Sequence, residues 1–235
     1  MSQHFSFGQE ESRALIPAIL VLSFIVGFND GSETFSIFSW LRNYLNSFII
    51  VALAVLVHVC AQKAAGIYLG QKVEYKLWAP GILAGIVLAF ISNGEWTIVV
   101  AGSIVAHAMA TARIGRFRYG FSYNDLGMIA AAGPLANVGL AILLKVLTAL
   151  PGGGLLGKAI LINMLFALFA MLPIPPLPGS MIVFASRSWY VFLIAAMAAI
   201  TALLIYISSA VLAVAGALLA GFAVFLVYFA LIETK

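Results

Sequence analysis

Within the stretch Leu53 to Val73, LAVLVHVCAQKAAGIYLGQKV, an imidazole, a thiol and a carboxamide interrupt a run that is otherwise largely apolar. His58 and Gln62 are four residues apart, about one helical turn, and project from one face, whereas Cys60 points to another. A histidine in such a place is suited to holding a metal ion, carrying a proton or bonding to a neighbouring helix. Catalytic zinc takes three protein ligands and a water, and glutamine is a poor neutral ligand. The chain has three histidines, His4, His58 and His107, and a single cysteine. A Cys-rich metal site and an intrachain disulfide are therefore excluded, and a zinc site has few residues to draw on.

The elements that must position these groups are membrane helices. Of 235 residues, 64% are hydrophobic and 9% charged, too little charge to cover a soluble domain. At about 20 apolar residues per crossing, the chain has room for six to eight spans. The expected class is an all-α polytopic membrane protein with about eight transmembrane segments, solvated by the lipid bilayer. Met1 to Arg13 is a short polar start, and Ala14 to Phe28 is a first span, retained because no small-x-small cleavage site follows before Asn29. From Asn29 to Asn46, apolar Phe35, Phe38, Leu41 and Leu45 recur at helical spacing and predict an interfacial helix. The second span, Ser47 to Leu69, carries His58. Gly81 to Ile91 and Trp96 to Ala112 read as a hairpin of two short apolar segments turning at Ser92 to Glu95. Leu126 to Leu150 and Leu155 to Leu172 follow, joined by a turn from Pro151 to Gly154. Trp189 to Lys235 splits near Ser208 and Ser209 into two more spans.

Charge sets the sidedness. With eight spans, one side holds Arg13, Lys72, Lys76, Arg113, Arg116, Arg118, Arg187 and Lys235, and the other only Arg42 and Lys158. That asymmetry places the first side and both termini in the cytoplasm, in a plasma membrane. Arg113, Arg116 and Arg118 alternate with Phe117, Tyr119, Phe121 and Tyr123. Directly after a span, this pattern predicts contact with anionic headgroups and no nucleic acid.

Two further motifs stand downstream. The fifth span contains Ala132-Gly133-Pro134-Leu135-Ala136-Asn137, and the sixth ends in Leu172-Pro173-Ile174-Pro175-Pro176-Leu177-Pro178-Gly179. The small residues allow close helix approach. The four prolines predict an extended, stiff segment, which at membrane depth must line protein or a cavity. It is either a groove for an extended peptide or a rigid connector.

Taken in order, the three segments resemble the site-2 protease family of intramembrane zinc metalloproteases, over roughly His58 to Gly179. That family shows H-E-x-x-H, then A-G-P-x-x-N, then F-N-x-x-P-x-x-P-L-D-G. The resemblance implies a protease-like core at 47–180, a span and interfacial helix at 1–46, and a transmembrane hairpin at 181–235. It also implies which positions should work on zinc, and four of the five are replaced. His58 stands at the first ligand, but Gln62 is at the second and Pro178 at the third. Val59 stands at the glutamate that activates water and Ala170 at the asparagine. Valine cannot take a proton from an attacking water, and proline has no side-chain donor atom.

The expectation is an inactive homologue, a pseudoprotease without catalytic residues or cofactor and with His58 at most available to a metal. It would bind or regulate transmembrane segments of other proteins. Asn137, Pro173, Pro175, Pro176 and Gly179 are its candidate groove or structural residues. Two alternatives stay open. One is an active zinc metalloprotease with a divergent site, in which His107, Cys60 or Asp125 completes the ligand set. The other is a small membrane transporter using the polar residues of the second span, which should show internal repeats; none is visible.

Overall fold

Helix α1 (Gln9–Gly27) begins inside the polar start. Glu10 and Glu11 occupy its first turn, where carboxylates are favoured by the helix dipole, and Glu11 reaches back to the Gly8 N–H. Helix α2 (Ile37–Tyr68) is a single helix of 32 residues, about 48 Å long at 1.5 Å per residue. The expected interfacial helix and second span are therefore continuous, since no glycine or proline interrupts the run before Gly66. The computed structural model describes residues 7–100, 102–108, 122–148, 154–207 and 209–233. His4, the arginines of the 113–118 loop, Pro151 and Ser208 lie outside the described residues. The chain forms two compact units, 1–118 and 119–235.

After α2, unit 1 continues with β1 (Gln71–Leu77), α3 (Ala79–Ile91) and β2 (Gly102–Ala108). The strands pair antiparallel, with Lys72 opposite His107 and Tyr75 opposite Ile104. Here one expectation is corrected: among the described residues of the returning arm, 102–108 are a strand and none is helical. Thr97 to Val100, Ile104 and Val105 are β-branched, a composition that suits a pleated strand, and β1 supplies the backbone partners. The turn at Ser92 to Glu95 lies where expected, with Asn93 and Gly94 at φ of 52° and 76°. Helix α3, with 13 residues, is about 20 Å long, short of a hydrocarbon core of about 30 Å. A Cβ on Gly81 or Gly85 would stand 3.0 Å from the carbonyl oxygen of Val100 or Ile98. This glycine face lets α3 pack closely over the returning backbone.

Unit 2 contains α4 (Tyr123–Leu147), α5 (Gly154–Ala170), α6 (Pro178–Ala185), α7 (Arg187–Tyr206) and α8 (Ala210–Tyr228), which ends in a π-helical turn, Phe229–Glu233. Ala130 and Ala131 of α4, Met171, Ile182 of α6, and Leu193 and Met197 of α7 form its core. Helices α7 and α8 divide at Ile207 to Ser209, and the Ser209 hydroxyl accepts from the Leu212 N–H as an N-cap. The proline segment is folded, not extended. Leu177 N–H donates to Ile174 O at 2.8 Å around a cis Pro175–Pro176 peptide, the pattern of a type VI turn, and Pro178 then opens α6.

Among the described residues, four helices are long and apolar enough to cross a membrane: α2, α4, α7, and α8 with its extension to Ile232. Helices α3 and α5 are shorter and apolar. The chain is an all-α polytopic membrane protein with one small ribbon.

Candidate functional site

The inward face of α2 carries the residues singled out from the sequence. His58, Val59, Gln62 and Lys63 are all buried, with exposures of 5%, 1%, 1% and 2%, while Cys60 is half-buried. The row continues to Gly66, where a Cβ would collide with the Val73 side chain. Strand β1 therefore presses onto α2 one turn beyond Gln62.

Next to Gln62 lies an ion pair that no motif announced. Lys63 Nζ stands 2.7 Å from Glu11 Oε2, with side-chain exposures of 2% and 4%. Glu11 Oε1 accepts the Tyr75 N–H at 3.1 Å, Oε2 also accepts the Gly8 N–H at 3.4 Å, and the ammonium lies 4.6 Å from the centroid of the Phe7 ring. One carboxylate thus ties α1 to α2 and to strand β1. Lys63 has no place in the sidedness expected from the sequence, and Glu11 reads there as part of a short polar start. The available signal was a lysine inside an apolar helix, which needs a counter-charge.

Around the ribbon the polar groups differ in exposure. Lys72 and Glu74 pair at 2.7 Å on the outer face, and His107 is exposed opposite Lys72. The hydrogen bond to Lys72 holds the Glu74 carboxyl below its ordinary range, and the bond to Glu74 raises the Lys72 ammonium above its own. On the inner face, burial pushes the Tyr75 phenol upward. The Tyr75 hydroxyl and both amide atoms of Gln71 are buried without a hydrogen-bond partner.

Among the described residues, no three His, Cys, Asp or Glu side chains come together where a metal ion could be held. His58 is buried in α2, while His107 sits on the exposed face of the ribbon. The Glu11 carboxylate is already taken by Lys63, Tyr75 and Gly8. Asp125 lies in the first turn of α4.

In unit 2, Asn137 of α4 is fully buried and donates from Nδ2 to Asn163 Oδ1 of α5 at 3.1 Å. Asn163 Nδ2 in turn donates to Ala159 O at 2.8 Å. Asn137 is thus a staple between two helices, and its partner Asn163 belongs to none of the three motifs. Ala170 is buried at the end of α5. Pro173, Pro175 and Pro176 are exposed, whereas Pro178 and Gly179 are buried. A Cβ on Gly179 would collide with the Met171 carbonyl, whose oxygen also accepts from the Tyr190 hydroxyl at 3.0 Å. Only a glycine lets α6 approach the turn this closely.

Fold and site together define a polytopic helical membrane protein with a polar helix face. Among known proteins, the chain is similar to one from Methanocaldococcus jannaschii provisionally named a zinc metalloprotease. The two are 28% identical over 180 residues, which is 74% of this chain and 84% of that relative. No protein-family model matches the chain, and no solved structure does.

Proposed function

We propose that this protein is a catalytically inactive relative of the intramembrane site-2 zinc metalloproteases that binds transmembrane segments of partner proteins. The observation that carries the reading is the composition of the α2 face around His58. Val59, Gln62 and a Lys63 already paired with Glu11 stand there, offering neither a second strong ligand nor a free base. The metalloprotease name of the archaeal relative and the order of the His58, Gly133-Pro134 and Leu177 to Gly179 segments support the ancestry. Buried carboxamides such as Gln62 and Asn137 suit interhelical hydrogen bonding, at about 1 kcal/mol or less per bond. The distribution of lysine and arginine favours an orientation with both termini cytoplasmic, and the plasma membrane is the location proposed. Because α3 is too short to cross, the β1–α3–β2 insert leaves that orientation unchanged.

Zinc analysis of the purified full chain tests the reading. The expected result is far less than one zinc per chain, unchanged in His58→Ala. Stoichiometric zinc that disappears in His58→Ala, together with chelator-sensitive cleavage of a co-reconstituted membrane protein, would establish a divergent protease instead.

A further inference from the structure

At the end of unit 1 remote from Glu11, where α1 ends, α2 begins and α3 ends, lies a cavity of about 570 Å³. That size falls within the usual range of small-ligand pockets, about 300–1,000 Å³. Phe24 and Phe28 of α1, Trp40 of α2 and Phe90 of α3 line it, together with two carboxylate residues of the α1–α2 connector, Asp30 and Glu33. Three of the four ring pairs here meet edge to face, and the fourth, Phe24 with Phe90, is tilted at 43° with centroids 6.2 Å apart. Phe24 and Phe28 are 5.5 Å apart at 89°, Phe24 and Trp40 6.2 Å at 69°, and Phe28 and Phe90 4.9 Å at 74°. Rings set nearly perpendicular turn their electron-rich faces in several directions, as the walls of a cage do.

The charge around this cavity has one sign. Asp30 Oδ1 accepts the Ser32 hydroxyl at 2.6 Å and its N–H at 3.1 Å, and these bonds hold the carboxyl below its usual range. Asp30 Oδ2 is covered and has no hydrogen-bond partner. The C-terminal, negative ends of α1 and α3 face the same region, against one positive N-terminal end from α2. Between residues 14 and 62 the only lysine or arginine is Arg42, and it does not line the cavity.

We propose that this cavity binds an alkylated ammonium group, with the faces of Phe24, Phe28, Trp40 and Phe90 around the cation and Asp30 and Glu33 balancing its charge. Aromatic faces attract cations by about 0.5–2 kcal/mol each. A quaternary ammonium suits such walls better than a primary one, because it has no N–H left unsatisfied on leaving water. Its source is either a phosphocholine-type lipid headgroup or a free solute of the same chemistry, such as choline. The site does not depend on the protease ancestry proposed above.

The test uses the full chain in a maltoside detergent, which carries no ammonium, titrated with tetramethylammonium and followed by calorimetry and tryptophan fluorescence. Saturable binding is expected, with a fluorescence change that is lost in Trp40→Phe and absent with potassium at equal ionic strength. The double variant Asp30→Asn with Glu33→Gln should keep the melting temperature and bind about tenfold more weakly. Competition by a short-chain phosphocholine lipid, but not by its phosphoglycerol counterpart, identifies a lipid source. Binding without that competition identifies a free solute. Absence of saturable binding, an equal response to potassium, or undiminished affinity in a well-folded double variant overturns the proposal.

Discussion

Two ion pairs of the same length lie a few residues apart on either side of strand β1. Glu11 and Lys63 meet at 2.7 Å with 4% and 2% of their side chains exposed, and Lys72 and Glu74 meet at 2.7 Å with 50% and 35% exposed. Distance does not distinguish them; surroundings do. The outer pair trades one set of water contacts for another and is screened by solvent and salt. The inner pair has surrendered its hydration, and in exchange its charges meet each other, two backbone N–H groups and one aromatic ring. A buried pair contributes modestly while intact, yet its loss on one side strands a charge.

The contrast can be broken most sharply from the inside. Lys63→Ala is expected to lower stability by about 3–5 kcal/mol, because the Glu11 carboxylate stays buried without its counter-charge; thermal unfolding in detergent reads this directly. Combining Glu11→Leu with Lys63→Met should recover most of that loss, since an apolar pair removes both charges together. If the double variant is no better than the single one, hydrogen bonding to Tyr75 rather than charge pairing dominates. The neutral staple of unit 2 gives an intermediate case: Asn137→Ala should cost about 1 kcal/mol by the same assay, through the unpaired Asn163 oxygen. Lys72→Ala should change stability by at most about 0.5 kcal/mol, and less at high salt.

Titration offers the smallest of these effects. The Glu74 carboxyl titrates below its ordinary value of 4.5, so its share of the outer pair is complete above that value and lost as pH falls through the lower folded one. The Lys72 ammonium titrates above 10.5, so its share is complete below that value and lost as pH rises through the higher folded one. The stability difference between wild type and Lys72→Ala should therefore be flat from about pH 5 to about pH 9 and close at either extreme. A slope across neutral pH would show that another group controls the pair.

The sequence exposes these regions unequally. Helices α1, α2, α4, α5, α7 and α8 announce themselves, because long apolar runs between polar breaks have few other solutions in a bilayer. Strand β2 does not, since a short apolar run rich in valine and isoleucine fits either a strand or a buried helix segment. Its partner β1 does alternate, with Gln71, Val73 and Tyr75 inward and Lys72 and Lys76 outward, but so short a pattern reads easily as a charged connector. Pro173 to Pro178 indicates a break in the helix, yet the sense of the turn depends on a backbone isomer that proline spacing does not specify. At the candidate site, the types of His58, Val59 and Gln62 are plain from their positions. The Glu11–Lys63 pair is not, because its members stand 52 residues apart and neither belongs to a motif.

That pair also bears on how the chain enters the bilayer. Lys63 is in α2 and its counter-charge in α1, which is synthesised earlier, so α1 is already available to neutralise α2 as the ribosome delivers it. A shortened chain beginning after the first turn of α1 would keep nearly all its apolar residues and every later helix. It would nonetheless send α2 into lipid without the carboxylate that faces Lys63. By composition the opening dozen residues look dispensable; by their place in this assembly, one of them is a precondition for inserting the next helix.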